Sequence, residues 1–464
     1  MNLLILDGKN ANALDFAMRA KRDGHQVRWW FPQSERVANI GKGLIDVVSE
    51  YEPSLRWADL IFLADNTRTV PLRTIDQLRR MGVAVCGPTR ETADWELDRT
   101  LGMHMLEEYG VPVPEFREFM SFDLAIQYVK KQDRPFVSKP SGDADKALSY
   151  VAKTPADLVY MLERWKKNSK LKPPFLLQEK VEGIEMAVGG WIGPHGFNAG
   201  WCENFEFKKL CNGDLGCATG EQGTVLRYVA KSKLANKVLK PFAEELVEAG
   251  CSGYVDVNCI IDEKGRPWPL EFTVRPGWPT FNIMQELHTG DCVQWLADLA
   301  DGTDTGNAVL DTVAVGVVMS IPDYPYSHIT RKEVTGIPVY GLDEEIEPHV
   351  HFCEAMMTEA PHPETMKPQQ MIGTAGDYVL VMSGSGDSVR AARTEVYGRL
   401  KKLIVPNSPM YRTDIGERLS KQLPDLQAHG YAVGMNFSAP KTKPPADQPK
   451  PEGERIGNLQ IIYV

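Results

Sequence analysis

The chain has 464 residues, 43% of them hydrophobic and 25% charged, which is typical of a folded protein of about three domains. Its 52 Lys and Arg are outnumbered by 62 Asp and Glu, giving a net charge of −10, so nucleic acid is a poor candidate partner. No apolar run approaches the roughly 20 residues of a membrane helix, and the eight cysteines form no CxxC pair. We therefore expect no membrane partner, free thiols and a cytoplasmic location.

Residues 1–90 alternate short apolar runs with segments of helical periodicity. Strands are expected at 3–7, 26–31, 60–64 and 83–86, and helices at 11–23 and 70–80. Strands that alternate with helices pair in parallel, with helices on the faces of the sheet. The pattern thus predicts an N-terminal α/β domain at 1–90, on the substrate side of the molecule.

The rest of the chain mixes helices and strands in α+β fashion. Helices are expected at 91–109, 121–131, 155–167 and 233–249, strands at 135–140, 175–181 and 185–192, a glycine-rich loop at 212–223, and a hairpin of strands 254–262 and 267–272. The predicted domains are a central one at 91–310 with a lid at about 135–193, a C-terminal α+β domain at 311–435, and a Pro/Lys-rich tail at 436–464. The last seven residues of the tail have the pattern of a strand that docks on the body.

Three features of the central domain can carry chemistry together. Lys139 ends an apolar strand, residues 177–185 place a glycine between two strands, and Asp256 and Glu271 lie on the two strands of the hairpin. A lysine can neutralise nucleotide phosphates, an open backbone hinge can bind an adenine edge, and two carboxylates on one face suit magnesium. Each feature alone is more often a solvated surface, but their joint order favours a nucleotide site.

The same order of motifs resembles the ATP-grasp ligases and, among them, the phosphoribosylamine–glycine ligase family. Residues 213–223 (GDLGCATGEQG), 270–275 (LEFTVR) and 411–416 (YRTDIG) are similar to that family's GDxGxxTGGMG, LEFNVR and YRxDIG. The resemblance covers roughly residues 1–425 and is strongest from 87 onward. It implies an ATP-grasp fold with a parallel-sheet domain before it and an α+β domain after it.

The resemblance also implies a reaction and the residues that serve it. The γ-phosphate of ATP passes to a carboxylate, and an amine then displaces phosphate from the acyl phosphate, as in a step of purine biosynthesis. The implied ligands are Arg99, Lys139 and Lys146 for phosphates, Glu179, Lys180 and Val181 for adenine, Glu185 for ribose, and Asp256, Glu271 and Thr273 for Mg²⁺ or Mn²⁺. The implied substrate contacts are Gly8, Lys9, Asn10, Asp214, Thr219, Gly220, Arg275 and Gly277, with Arg275 and Lys139 as the catalytic pair.

Departures from the family concentrate on the amine side. The family's opening GxGGREHA reads DGKNANAL at 7–14, its loop after the third strand reads Asp65-Asn66-Thr67, and its metal-side Asn is Thr273. We therefore expect an ATP-dependent carboxylate–amine ligase, a monomer or homodimer. Its acid would be small, glycine being the family's own, and its amine need not be phosphoribosylamine.

Two alternatives remain open on the sequence. The first is an ATP-binding sensor or scaffold that has lost turnover, which the change at Thr273 motivates. The second concerns His349, His351 and Cys353, which alternate as on one face of a strand and could hold a metal, although a plain strand of the C-terminal domain is favoured because no fourth ligand is evident.

Overall fold

The computed structural model describes residues 1–140, 149–168, 172–303, 308–326, 331–439, 454–456 and 459–462. In the N-terminal region the elements are β1 (Asn2–Leu6), α1 (Leu14–Arg22), β2 (Gln26–Trp30), β3 (Asp46–Val47), β4 (Leu60–Leu63), α2 (Leu72–Arg80) and β5 (Val85–Cys86). They form a parallel sheet in the order β3-β2-β1-β4-β5, which confirms the predicted α/β domain. Because β1 and β4 are parallel neighbours, the residues that follow them, Asp7 and Asp65, meet at one edge of this sheet.

The next region forms a smaller sheet with a core of its own. Its elements are α3 (Arg90–Leu97), α4 (Arg99–Glu108), β6 (Phe116–Phe119), α5 (Phe122–Val129), β7 (Phe136–Pro140), β8 (Tyr150–Val151), α6 (Pro155–Asn168) and β9 (Phe175–Glu179). Strands β6 to β9 pair antiparallel in the order β6-β9-β7-β8, and helices α5 and α6 cover them with apolar side chains such as Leu158 and Leu162. We call this unit the lid sheet.

The lid sheet spans 116–179, whereas the sequence pattern placed the lid at about 135–193. The lid begins earlier because β6 pairs with β9 in the lid sheet. It ends earlier because the strand after Gly183 pairs with the strand at 253–261 of the central region. The helix expected at 91–109 is also two helices. It breaks at Asp98, whose backbone is extended and whose side chain caps α4 by accepting from the N–H groups of Thr100 and Leu101.

The central region supplies most of the largest sheet. Its elements are β10 (Ile184–Gly193), β11 (Gly196–Glu206), β12 (Lys209–Cys211), β13 (Leu215–Ala218), β14 (Gly223–Val229), α7 (Lys233–Val238), α8 (Ala243–Glu248), β15 (Gly253–Ile261), β16 (Pro267–Thr273), α9 (Thr280–Met284) and α10 (Cys292–Asp301). The single helix expected at 233–249 is wrong. It is interrupted by a short 3-10 turn at Lys240–Phe242, because Pro241 has no N–H to continue the α-helical bonding.

The C-terminal region extends that same sheet. Its elements are β17 (Ala308–Leu310), β18 (Val313–Ser320), α11 (Arg331–Val334), β19 (Val350–Phe352), β20 (Ala355–Pro361), β21 (Pro368–Thr374), β22 (Tyr378–Gly386), α12 (Val389–Leu400), α13 (Leu419–Ala428), β23 (Glu454–Ile456) and β24 (Leu459–Ile462). The eight-stranded order is β16-β15-β10-β11-β14-β18-β22-β19, so the region expected at 311–435 shares a sheet with the central domain. Strand β24 pairs in parallel with β17, which confirms that the end of the chain docks on the body.

One apolar core joins the N-terminal, central and C-terminal regions. Phe16 of α1 packs on Phe281 of α9, with ring centroids 5.4 Å apart, and Phe281 packs on Trp191 of β10. Trp29 is fully buried in this core, as the alternation of its strand predicts. Within the described ranges, no helix has the length and apolar character needed to cross a membrane.

Candidate functional site

The hairpin of β15 and β16 presents four polar side chains on one face. Asp256 lies directly across from Thr273, and Asn258 lies directly across from Glu271. Side chains two residues apart on a strand share a face, so Asp256 and Glu271 are diagonal neighbours, as the sequence predicted. The hairpin turn is fixed by Asp262, whose carboxylate accepts from the backbone N–H groups of Lys264 and Arg266.

Three cations surround Glu271 where the lid sheet meets the central sheet. Arg99 forms an ion pair with Glu271, and Lys208 Nζ lies 4.0 Å from its Oε1. Lys139 donates to the carbonyl of Leu270 at 2.9 Å, and Arg99 donates to the carbonyl of Pro140 at 3.1 Å. We call Arg99, Lys139 and Lys208 the cationic trio. The structure thus brings together three of the predicted residues, Arg99, Lys139 and Glu271.

The electrostatics of this cluster are those of a site built for anions. Burial, followed by the nearby Arg99 guanidinium, lowers the pKa of Lys139 to about 7, while Glu271 opposes both effects. For Lys208, burial also disfavours the charge, but Glu185, Glu206 and Glu271 outweigh it and hold its pKa well above the usual range. A phosphate anion beside the trio would relieve the repulsion between Lys139 and Arg99.

Sequence reasoning missed Lys208, Glu206 and Asn258. Lys208 Nζ lies 2.8 Å from Glu185 and 2.9 Å from Glu206, and Asn258 Nδ2 donates to both of those carboxylates. The signal was the period-2 run Asn204, Glu206, Lys208, which marks a polar strand face. That pattern alone did not reveal that the face would meet Asn258 and Glu271 on other strands.

The segment expected to hold adenine and ribose lies at the edge of the lid sheet. The N–H of Glu179 donates to the carbonyl of Glu115, and that of Lys180 donates to the carbonyl of Pro135. The Glu179 side chain pairs with Arg134 at 2.8 Å. Any contact of this segment with adenine therefore involves other atoms, such as the carbonyl oxygens or Val181. Glu185 is engaged by Lys208, which lowers its pKa despite burial.

The three predicted substrate residues of the 212–223 segment differ in their contacts and exposure. This segment is not an open loop, because β12 and β13 form a short hairpin around it. The Asp214 carboxylate is held by Arg412 at 2.9 Å and Arg418 at 3.0 Å, so it ties the hairpin to the C-terminal region. Thr219 donates to the carbonyl of Lys208 at 2.9 Å, while Gly220 is exposed.

The remaining predicted substrate residues lie at the carboxyl edge of the N-terminal sheet. Gly8 is buried, and a Cβ atom there would come 1.9 Å from Asp65 Oδ2, so only glycine fits. Lys9 is exposed and Asn10 half-buried. Arg275 reaches this edge from the end of β16: its Nη2 pairs with Glu96 at 2.9 Å and its Nε lies 3.9 Å from Asp65. Gly277 follows it and accepts from the N–H of Phe281.

The backbone N–H groups at this edge donate to the side chains of Asp7 and Asp65. Asp7 accepts from the N–H groups of Gly8 at 2.7 Å and Ala13 at 2.9 Å, and Asp65 accepts from those of Asn66 and Thr67. Burial, reinforced by Asp65, raises the pKa of Asp7 to about 7. Burial also raises the pKa of Asp65, although Arg275 opposes it. The backbone donors of this edge are therefore taken by carboxyl groups of the chain itself.

Two further expectations have definite outcomes. Lys146 lies outside the described residues. His349 pairs with Glu286 at 2.7 Å, and His351 lies between Asp15 and Ser383, each at 2.9 Å. Over the residues with described positions, no group of three or more His, Cys, Asp or Glu is arranged to hold a metal. The two histidines thus serve as polar links between the regions of the core.

The part of the chain that holds the lid sheet and the hairpin of β15 and β16 is similar to a known protein family. Residues 98–280 match the family model described as the ATP-grasp (A) domain of phosphoribosylglycinamide synthetase. Phosphoribosylamine–glycine ligase of Halalkalibacterium halodurans is 24% identical over 421 residues, which cover 85% of this chain and 94% of that protein.

Two solved structures share the fold at lower identity. Phosphoribosylamine–glycine ligase from Thermotoga maritima has a TM-score of 0.66 at 19% identity, covering 90% of this chain and 100% of that one. The biotin carboxylase domain of 2-oxoglutarate carboxylase from Hydrogenobacter thermophilus, solved with MgADP, has a TM-score of 0.58 at 12% identity, covering 88% and 91%. At these identities the likeness concerns the fold.

Proposed function

Because residues 98–280 match the ATP-grasp domain of a ligase family and the similar curated proteins are ligases, we propose that this chain joins a carboxylic acid to an amine at the expense of ATP. The observation that carries the proposal is the cationic trio around Glu271, between the lid sheet and the central sheet. Phosphoryl transfer needs positioning and charge neutralisation more than a protein nucleophile, and the trio offers both. The family relationship favours the ligase over a sensor or scaffold.

The first step would be phosphorylation of the acid. A carboxylate oxygen attacks the γ-phosphorus of ATP, the bond to the β,γ-bridging oxygen breaks, and ADP leaves with that electron pair. Arg99, Lys139 and Lys208 would hold the phosphates during this transfer, because each is a cation at the same junction. Preorganised charge of this kind is the main source of rate in phosphoryl transfer.

Glu271 and Thr273 fit a divalent cation, since both offer oxygen and share one face of β16. Such an ion, when bound, would neutralise phosphate charge. Asp256 was expected in the same set, but its Oδ2 already accepts from Asn204 and Tyr254, so we assign it another role below.

The second step would form the amide. The amine nitrogen attacks the acyl carbon, and the bond from that carbon to the phosphate oxygen breaks. Phosphate leaves with the electron pair of that bond and accepts the proton that the nitrogen loses. Arg275 lies two residues beyond the end of β16 at Thr273. Held by Glu96, its guanidinium would orient the acyl phosphate oxyanions from the side of the N-terminal sheet.

The amine that this chain uses need not be the phosphoribosylamine in the names of its relatives. Asp7 and Asp65 fill the backbone N–H groups at the carboxyl edge of the N-terminal sheet, the place where α/β sheets ordinarily receive phosphate. Both carboxylates are buried there. A phosphorylated amine would find these backbone donors occupied, so we propose an amine without phosphate.

The test is ADP release by the purified protein with ATP, Mg²⁺ and pairs of substrates. Glycine would be combined with phosphoribosylamine in one reaction and with a panel of unphosphorylated amines and amino acids in the others. We expect release to depend on an unphosphorylated amine. Release that depends on phosphoribosylamine alone would contradict the assignment of the amine, and no release with any pair would contradict the ligase.

A further inference from the structure

A band of buried polar side chains crosses the central sheet beside the cationic trio. It consists of Asn204 on β11, Thr224 on β14, and Asp256 and Asn258 on β15, and we call it the polar floor. Each member is at least nine-tenths buried. Asn204 bonds Asp256, and Asn258 bonds Glu206, which lies directly across from Thr224. The four side chains therefore form one continuous patch.

The hydrogen bonds of the polar floor are incomplete on the acceptor side. Asn204 Nδ2 donates to Asp256 Oδ2 at 3.0 Å, and Tyr254 donates to the same oxygen at 3.2 Å. Asn258 Nδ2 donates to Glu185 at 3.0 Å and Glu206 at 3.1 Å. Both amides thus use their N–H groups, while Asn204 Oδ1, Asn258 Oδ1 and Thr224 Oγ1 have no partner among the residues that the structure describes. Buried polar groups are nearly always paired, so these atoms point to a ligand that donates hydrogen bonds.

The carboxyl group in the polar floor favours a ligand whose hydrogen-bond donors carry positive charge. Asp256 is 5% exposed, and burial, followed by the charge of Glu206, raises the pKa of its carboxyl group to about 7. Lys208 opposes this shift, but its short contacts are with Glu185 and Glu206. A cation beside Asp256 would favour the ionised form of this buried carboxyl group, so a donor that also carries positive charge fits best.

The position of the polar floor places it in the path of the substrates. Along β16, Glu271 lies beside the cationic trio and Arg275 reaches the N-terminal sheet. Asp256 lies across from Thr273, midway between these two. If the proposed ligase reaction holds, an acid that receives the γ-phosphate near Glu271 lies above the polar floor.

We infer that the polar floor binds a primary ammonium group of a substrate. An ammonium group has three N–H donors, and the patch offers three acceptors for them: the Asp256 carboxylate, Asn204 Oδ1 and Asn258 Oδ1. The group could belong to an amino-acid substrate that is phosphorylated on its carboxylate, or to the amine substrate, whose ammonium would give one proton to the Asp256 carboxylate to free the lone pair that attacks. The chemistry of recognition is the same for both sources.

Hydroxylamine trapping separates the two sources, because hydroxylamine replaces the amine and converts an acyl phosphate to a measurable hydroxamate. Glycine would be compared with acetate, which lacks the amino group, in wild type and in Asp256→Asn and Asn204→Leu. If the acid carries the ammonium, wild type prefers glycine, and Asp256→Asn raises the KM for glycine about 10–100-fold with the KM for ATP unchanged. If the amine carries it, the same rise appears for the amine in the complete reaction and trapping is unaffected.

Asp425→Asn is the matched control, because Asp425 is exposed on α13. A second readout is the thermal shift that glycine or the accepted amine gives in the presence of MgADP, which Asp256→Asn should abolish and Asp425→Asn should keep. Turnover with equal KM for both substrates in wild type and Asp256→Asn would overturn the ammonium site alone. Absence of ADP release with every pair would instead overturn the ligase proposal on which it rests.

Discussion

Glu271 shows how one carboxylate can hold three buried or half-buried cations in place. Arg99 pairs with it, Lys208 lies 4.0 Å away, and Lys139 bonds the carbonyl of the preceding residue, Leu270. These cations repel one another, and burial together with Arg99 lowers the pKa of Lys139 to about 7. Glu271 therefore stabilises the trio, and in the proposed function the same carboxylate would also be available to a metal ion.

Replacing Glu271 tests this role. We expect Glu271→Gln to reduce ADP release on the order of 100-fold or more, because an oxygen of full negative charge is lost from the transfer site. Turnover would be measured with the acid and amine pair found in the substrate panel. The matched control is Glu182→Gln, since Glu182 is exposed and its ion pair with Lys180 lies at the surface. Equal loss in both variants would contradict a specific role for Glu271.

Asp7 gives a prediction about stability and pH. Its pKa is raised from 3.8 to about 7 in the folded protein, so between these values the folded state retains a proton that the unfolded state releases. Stability from this group is thus full below about pH 4 and falls as pH rises to 7. We expect the free energy of unfolding of Asp7→Asn to rise relative to that of wild type by up to about 4 kcal/mol between pH 4 and pH 7, with no further change above pH 7.

The measurement is urea unfolding of both proteins at several pH values. Only the change with pH of the difference in unfolding free energy is diagnostic. The size of the difference at any one pH also reflects the acceptor for Ala13 or Trp29 that the variant loses. Asp425→Asn should give a difference that does not vary with pH. A flat difference for Asp7→Asn would show that Asp7 is ionised throughout.

At the scale of the elements, local residues decide where helices break and how hairpins attach. Pro241 interrupts the segment 233–248, and Asp98 separates α3 from α4. The hairpin of β12 and β13 is fixed from outside by Arg412, which is 1% exposed and binds Asp214 and Asp414. Arg418 adds a second bond to Asp214 and packs on Phe207, with its guanidinium 3.9 Å from the ring centroid.

Removing Arg412 should loosen this attachment. We expect Arg412→Met to lower the free energy of unfolding by about 3 kcal/mol, the low end for breaking a buried ion pair, because Asp214 is 45% exposed and remains partly solvated. The matched control is Lys402→Met, whose pair with Glu345 is exposed on both sides and should change stability by less than about 0.5 kcal/mol. Chemical unfolding of the three proteins compares them, and similar losses in both variants would contradict the attachment.

At the scale of the whole molecule, the eight-stranded sheet is the frame of the fold. Strands β16, β15, β10, β11 and β14 come from the central region, and β18, β22 and β19 from the C-terminal region. Every residue of β18 is buried. The lid sheet, by contrast, has a separate core, and Lys139 of β7 reaches the central sheet by donating to the carbonyl of Leu270.

A truncation tests this shared sheet. A chain that ends at residue 310 lacks β18 and leaves the edge of β14 unpaired, and an open apolar edge promotes aggregation. We expect it to be aggregated on size-exclusion chromatography. A chain that ends at residue 439 keeps the eight strands and loses only β23 and β24, which attach through the three-residue β17, and should elute as wild type does. A well-behaved 1–310 fragment would contradict the shared sheet.

The order of motifs along the chain determined the fold class and several members of the site. Lys139, Glu271 and Arg99 could be named because each lies in a local pattern, and the parallel N-terminal sheet followed from alternation alone. Tertiary structure decided which strands became neighbours. The register of β15 against β16 set Asn258 opposite Glu271, and the meeting of β1 with β4 brought Asp7 to Asp65. Lys208, Glu206 and Asn204 joined the site for the same physical reason, since pairing between distant strands depends on packing of the whole sheet and not on any local run of residues.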